Sequence, residues 1–287
     1  MRRSSIRCAL LLAAVLCTAS AAQAAECDRA CLTGMITKYV AAIVAHKPRS
    51  LPVAKNVRFT EDSKDLALGD GAWKTVTAAG SFRQDYIDVP RGIAASHVEL
   101  REKDARLLYS VVLRVANRKI TGIETLVDRI TPTSRFQPDS LPRAMAGMSA
   151  PVPQGQRMSR DDMIRVATHY PEGLRVGNFT NARTPFSKEA YRVENGVFIA
   201  GEGCPRANCP GLYTQNVMLH PAVTASVAAV DEEAGLVLLW MNFGDTHSYG
   251  PGNALVTFEA FKVWGGEIHA INAFFRTLPK DTARGWD

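Results

Sequence analysis

Apolar side chains recur at Leu32, Met35, Ile36, Tyr39, Val40, Ile43 and Val44. Spacings of three and four put them on one helical face, so residues 31–44 are predicted as an amphipathic helix. His46-Lys47-Pro48 stops it, with basic side chains at the negative end of the dipole and a proline that cannot continue the helix. The period then changes. A short segment Val57–Thr60, a turn at Gly69-Asp70-Gly71, and alternating stretches near 81–89, 93–101, 106–116 and 119–129 read as mostly antiparallel strands.

Residues 131–157 hold five prolines and few large aliphatic side chains, which marks a linker. After it the plan restarts. Ser159-Arg-Asp-Asp162 reads as a helix N-cap with an acidic first turn, and Met163, Val166, Ala167 and Tyr170 form a second apolar stripe. The two halves align. Leu107–Val127 lies over Leu255–Phe275 without a gap, pairing Leu107 with Leu255, Val115 with Val263, Ile120 with Ile268 and Ile123 with Ile271. Asp88-x3-Gly92 matches Asp231-x3-Gly235, Phe59-Thr60 is matched to Phe186-Ser187, and Gly71-x-Trp73 to Gly196-x-Phe198. The shared order predicts a tandem duplication, divided as 25–130, a linker at 131–157, and 158–287, with the two domains expected to pack on each other.

The N-terminus changes what the charge means. Arg2, Arg3 and Arg7 precede an apolar run at 8–19 and the small-x-small site Ala22-Gln23-Ala24, the pattern of a secretory signal (1–24) cleaved after Ala24. The run is too short to span a bilayer, and no later one approaches the necessary length, so no membrane association is expected after cleavage. Cleavage removes three arginines and no acid, so the formal charge of +6 falls to +3. The remaining basic residues include no run of four, which argues against a nucleic-acid partner. Four cysteines remain: Cys27, Cys31, Cys204 and Cys209. An exported, oxidising setting makes disulfides the expectation over metal binding, since neither spacing is that of a zinc finger. Three pairings stay open.

The segments Asn56-Val-Arg-Phe-Thr-Glu61, Gly69-x-Gly71-x-Trp73 and Lys119-Ile-Thr-Gly-Ile-Glu-Thr-Leu-Val127 resemble the nuclear-transport-factor-two-like superfamily. Its members include ketosteroid isomerase, scytalone dehydratase, limonene epoxide hydrolase and the SnoaL-type polyketide cyclases. Cys27-Asp-Arg-Ala-Cys-Leu32 and Val230-Asp-Glu-Glu-Ala-Gly-Leu236 resemble an exported tandem branch of it found in bacteria and fungi. The resemblance implies an α+β fold of two tandem cone-shaped domains, each a curved, mostly antiparallel sheet wrapped around its N-terminal helix. It also implies a small, largely apolar ligand inside the cone. Fold likeness specifies no reaction.

Candidate chemistry starts with Glu124, which lies in the apolar stretch between Ile123 and Leu126. A carboxylate facing an apolar pocket has a raised pKa and suits acid–base work; the other reading is a surface group paired with Arg118 or Arg129. Its counterpart Asn272 cannot titrate, which points to the first half. Glu61 is the assisting carboxylate, or else a partner of Arg58. Tyr39, Trp73 and Tyr86 are candidate ligand walls. Strict alternation puts His97 with Ala95 and Glu99 on the polar face, yet an imidazole titrating near neutrality keeps it in the set. In the second half the candidates are Asp245 and His247, in the loop Gly244–Gly252, with Glu259 and His269. No histidine pattern specifies a metal, and no phosphate loop, dinucleotide motif or nucleophile elbow occurs. The expected function is therefore cofactor-free acid–base chemistry on a hydrophobic or aromatic molecule, as a lyase, isomerase, dehydratase or cyclase. The alternative is a non-catalytic ligand-binding protein. A cavity with a buried titratable group favours the enzyme, and a purely apolar one the binder.

Overall fold

Asp28 accepts a hydrogen bond from Cys31 N and so caps α1 (Arg29–Val44), whose buried side Leu32, Met35, Ile36, Tyr39 and Ile43 matches the predicted stripe. A disulfide joins Cys27 to Cys31 across its first turn, and a second joins Cys204 to Cys209. The computed structural model describes residues 27–205 and 207–286, so the predicted signal peptide lies outside the described residues. Among the described residues no helix is long and apolar enough to cross a membrane.

Six strands follow α1: β1 (Val53–Glu61), β2 (Lys64–Leu66), β3 (Ala78–Asp88), β4 (Ile93–Arg101), β5 (Arg106–Ala116) and β6 (Lys119–Ile130), in the sheet order β2-β1-β6-β5-β4-β3. Next come α2 (Leu141–Met148) and α3 (Arg160–Val176). A second sheet holds β7 (Phe186–Glu194), β8 (Val197–Gly201), β9 (Thr224–Asp231), β10 (Leu236–Asn242), β11 (Asn253–Trp264) and β12 (Glu267–Pro279) in the order β8-β7-β12-β11-β10-β9.

This corrects the expected fold class of two cones, each a mostly antiparallel sheet around one N-terminal helix. Both sheets are mixed: β1 runs parallel to β6, and β7 parallel to β12. The described residues contain three α-helices, of which the N-terminal one is a single member. Alternation identifies a strand but carries no direction for its neighbour, so the parallel pairs leave no mark in the sequence pattern. The extra helix, α2, lies inside the proline-rich stretch. Pro142 occupies its first turn, where a missing N–H costs no helical hydrogen bond.

Tandem sheets are nonetheless present, and their ladders are equivalent. Leu113 faces Ile123 and Phe261 faces Ile271, and a register shift follows Arg114 in one hairpin and Lys262 in the other. Two of the sequence matches need correction. Phe59 pairs with Ile123 while Arg192 pairs with Ile271, so Arg192, not Phe186, stands at the place of Phe59. By the same ladder Glu194 corresponds to Glu61, and Gly196 falls in the β7–β8 turn rather than at the place of Gly71. β1 and β7, each second in its sheet, carry few aliphatic side chains and too little signal to align.

The layers run α1, first sheet, second sheet, α3. Tyr39, Val111, Leu113, Ile123 and Val127 share the first core. Tyr170, Leu239, Phe261 and Ile271 share the second. Between the sheets lies a third apolar cluster, with Tyr86, Val112 and Leu126 from one and Leu238, Trp240 and Phe258 from the other. Both faces of each sheet are therefore covered, which blurs the alternation that a half-exposed sheet would show.

Candidate functional site

The two helix–sheet cores have different contents. In the first, the Tyr39 hydroxyl meets that of Tyr109 at 2.7 Å, and Trp73 packs edge-on to Tyr39 with ring centroids 5.3 Å apart. These three rings and Phe59 are all buried and fill the interior. Glu61 lies beside them, its carboxylate accepting a hydrogen bond from Ala72 N at 2.9 Å. Burial raises its pKa, and the Ala72 amide offsets part of the shift.

The second core keeps a tyrosine at the matching helix position, Tyr170, but Thr257 stands where Tyr109 stands and Arg192 where Phe59 stands. The β8–β9 connection, residues 202–223, is longer than the β2–β3 connection that inserts Trp73. With those rings absent, a cavity of about 250 Å³ remains, walled by Tyr170, Arg192, His220, Phe243, Tyr249 and Glu259 among others.

Glu259 sits mid-β11 and is 2% exposed. Its Oε1 is buried without a hydrogen-bond partner. Burial pushes its pKa up to about 8, and nearby Glu194 adds to the effect, while Arg192 and the Tyr170 hydroxyl oppose it. Arg192 is committed to the wall. It donates to the Tyr170 hydroxyl at 2.9 Å and to Gln215 Oε1 at 3.2 Å, and its Nε lies 2.8 Å from Glu194 Oε1. Burial alone would lower the Arg192 pKa, but Tyr170, Glu194 and Glu259 reverse that and hold it charged. His220 comes from the β8–β9 connection, and burial lowers its pKa, a Phe243 backbone contact countering in part. The neutral imidazole stacks parallel to Tyr249 and edge-on to Phe243.

The other sequence candidates lie elsewhere. Glu124 is on the face between the sheets, where Arg284 of the C-terminal segment grips it through Nε and Nη2 at 2.9–3.1 Å. Tyr86 and His97 share that interface. The Tyr86 hydroxyl lies 2.9 Å from His97 Nδ1, Asn272 Nδ2 is 3.4 Å from the same atom, and the imidazole stacks on Phe274. Burial drives the His97 pKa down to about 3, so the ring is neutral. The face read as polar is thus the sheet–sheet contact. Asp245 pairs with Lys280 at 2.9 Å, and His247 beside it is 86% exposed. His269 stacks on Trp264. Of the sequence-predicted residues, only Glu259 reaches the cavity; Tyr39, Trp73 and Glu61 are brought together in the filled core.

Motif and spacing do not single out Tyr170, Arg192, Glu194, Gln215, His220 or Tyr249 as site residues. One signal for the cavity does exist. The ungapped hairpin alignment sets Glu259 against Val111 and Thr257 against Tyr109, a charge and a lost ring on the inward face.

A family model described as a domain of unknown function (DUF8021) matches residues 156–275. Among curated proteins none matches the chain. Similar solved structures include a de novo designed protein with a curved β-sheet, at 17% identity and TM-score 0.30, covering 35% of this chain and 88% of that one. A candidate ketosteroid isomerase from Kribbella flavida DSM 17836 aligns at 13% identity and TM-score 0.29, covering 46% and 96%. A candidate isomerase from Bacillus subtilis aligns at 12% identity and TM-score 0.28, covering 34% and 87%.

Proposed function

We propose that the cavity of the second sheet is a small-molecule site for acid–base chemistry, with Glu259 as the proton-transfer group. The observation that carries this reading is its carboxyl group, buried in a cavity wall with one oxygen unpartnered. Buried polar groups are normally hydrogen-bonded, and a strongly perturbed acid in a pocket marks a functional site. With a pKa of about 8, Glu259 carries its proton at neutral pH and loses it just above. Proton donation and proton acceptance are both accessible near neutrality, the condition under which general acid–base catalysis works best. His220 offers a neutral imidazole in the same cavity as a second proton acceptor.

The ligand is a small molecule with an apolar body, held by Phe243, Tyr249 and Phe275. The reaction fits the isomerase or lyase class and needs only the chain's own residues. Two sheets of identical strand order, each preceded by a helix packed on it, support a tandem relationship to the nuclear-transport-factor-two-like superfamily. Two disulfides are compatible with export.

The test can be run before the natural substrate is identified. Small aromatic metabolites that raise the melting temperature are incubated with the protein in deuterated water, and exchange at their acidic C–H positions is followed by NMR. Catalysed exchange that falls at least about a hundredfold in Glu259→Gln is expected, within the usual worth of a positioned acid or base. Binding with no exchange above background leaves a ligand-binding protein and ends the catalytic reading.

A further inference from the structure

The charged groups around the cavity do not balance once Glu259 ionises. Its wall holds two carboxyl groups, Glu259 and Glu194, and one guanidinium, Arg192. The other titratable groups facing Glu259 are Tyr170 from α3, His220 from the β8–β9 connection and Tyr249 from the β10–β11 loop, each neutral near pH 7. Arg192 is already drawn on: it donates to Tyr170 and Gln215 through its two terminal nitrogens, and its charge is paired with Glu194. Glu194 is matched by Arg192 at 2.8 Å. Glu259 feels the Arg192 charge but forms no direct ion pair with it, and its Oε1 has no hydrogen-bond partner.

We propose that the cavity binds a small amine in its ammonium form, with Glu259 as the counter-ion. One bound cation brings the site to neutrality, and its N–H groups satisfy the orphaned oxygen. A buried carboxylate is tolerated only when paired and hydrogen-bonded, which the ammonium does and a neutral ligand does not. The aromatic lining suits the same guest. Tyr170, Phe243, Tyr249 and Phe275 line the space, and aromatic rings attract desolvated cations. An anionic ligand would meet two carboxyl groups and one guanidinium already paired with Glu194. Binding exchanges one positive charge for another: the ammonium enters with its proton, Glu259 ionises, and the displaced carboxyl proton passes to solvent. The bound state thereby holds Glu259 as a base beside the substrate. This assignment rests on the cavity being the ligand site.

Calorimetry at pH 7 decides it, using phenethylamine, 2-phenylethanol and phenylacetate as probes of similar size and different charge. Titrations in two buffers of unlike ionisation heat count the protons released. Phenethylamine is expected to bind at least about tenfold more tightly than the alcohol, a difference of about 1.4 kcal/mol, and to release close to one proton. Glu259→Gln is expected to remove that preference while the alcohol binds as before. Amine binding without proton release, or alcohol or acid binding as tightly as the amine, overturns the charge assignment and leaves the cavity as a ligand site. Failure of all three probes, with no ligand found by the metabolite screen, overturns both readings. The proton count is made on the unaltered protein, so it stands even if the variant folds poorly.

Discussion

At the scale of single residues, Glu259 has a stability consequence as well as a chemical one. Its folded pKa is about 8, against 4.5 for an unperturbed glutamate. A raised acid pKa means that between those values the folded chain holds a proton that the unfolded chain has lost. Stability is therefore highest below about pH 4.5 with respect to this group and falls as pH rises through about 8, by an amount on the order of 5 kcal/mol. Glutamine has the same shape and no such proton. The Glu259→Gln variant is expected to melt close to wild type at pH 5 and several degrees above it at pH 9. Equal melting temperatures at both pH values would show that the carboxyl group is not desolvated. His97 makes the opposite point. It too is fully buried, but Tyr86, Asn272 and Phe274 surround it between the sheets. A perturbed histidine in a packed interface is core, whereas a perturbed glutamate on a cavity wall has room for a ligand.

At the scale of elements, the long strands and the two amphipathic helices are legible in the sequence because their periods are strong. The apolar stripe of α1 and the paired hairpins β5–β6 and β11–β12 appear where sequence periodicity puts them. The site is less legible for a specific reason. Glu124 lies in an apolar stretch, as a pocket carboxylate would, but its face is the one that meets the other sheet, and periodicity does not reveal what covers a face. The C-terminal segment is also invisible to it, being neither helix nor strand. Yet Arg284 neutralises Glu124, and Trp286 enters a slot on the first sheet. The Trp286 indole N–H donates to Thr60 Oγ1 at 2.9 Å, and Arg58 and Arg114 lie over the ring at 4.8 and 5.0 Å. Gly122 forms the floor: a Cβ there would come within 2.2 Å of the ring. Gly122→Ala is expected to expel the indole and red-shift tryptophan fluorescence. Arg284→Ala leaves a buried carboxylate without its arginine and should cost about 3 kcal/mol in urea unfolding. Adding Glu124→Gln should recover part of that loss; no recovery would mean that the arginine acts by packing alone.

At the scale of the whole molecule, the two units are joined about an approximate two-fold axis written into equivalent residues. Arg29 and Arg160 are the first residues of α1 and α3, where a cation is disfavoured by the helix dipole. Each reaches across the joint. Arg29 pairs with Asp231 at the end of β9, and Arg160 with Asp88 at the end of β3. The same aspartates accept backbone hydrogen bonds from the opposite unit, Asp88 from Val230 N at 2.9 Å and Asp231 from Ile87 N at 3.0 Å. Each carboxylate thus satisfies a buried amide and a guanidinium at once; removing Asp88 strands the Val230 amide and Arg160, while removing Asp231 strands the Ile87 amide and leaves Arg29 with Glu233 at 2.9 Å. Asp88→Ala and Asp231→Ala are each expected to cost about 2–4 kcal/mol. Because each aspartate bonds the residue beside the other, the two form one joint. Once one is lost the other's cross-unit bonds are already loosened. The double variant should therefore lose less than the sum of the singles, by about 0.5–3 kcal/mol, the range for residues in one network. Denaturant unfolding of the four proteins measures this coupling. Strict additivity would mean that the two clusters hold the sheets independently, and that the symmetry is inherited without any mechanical role.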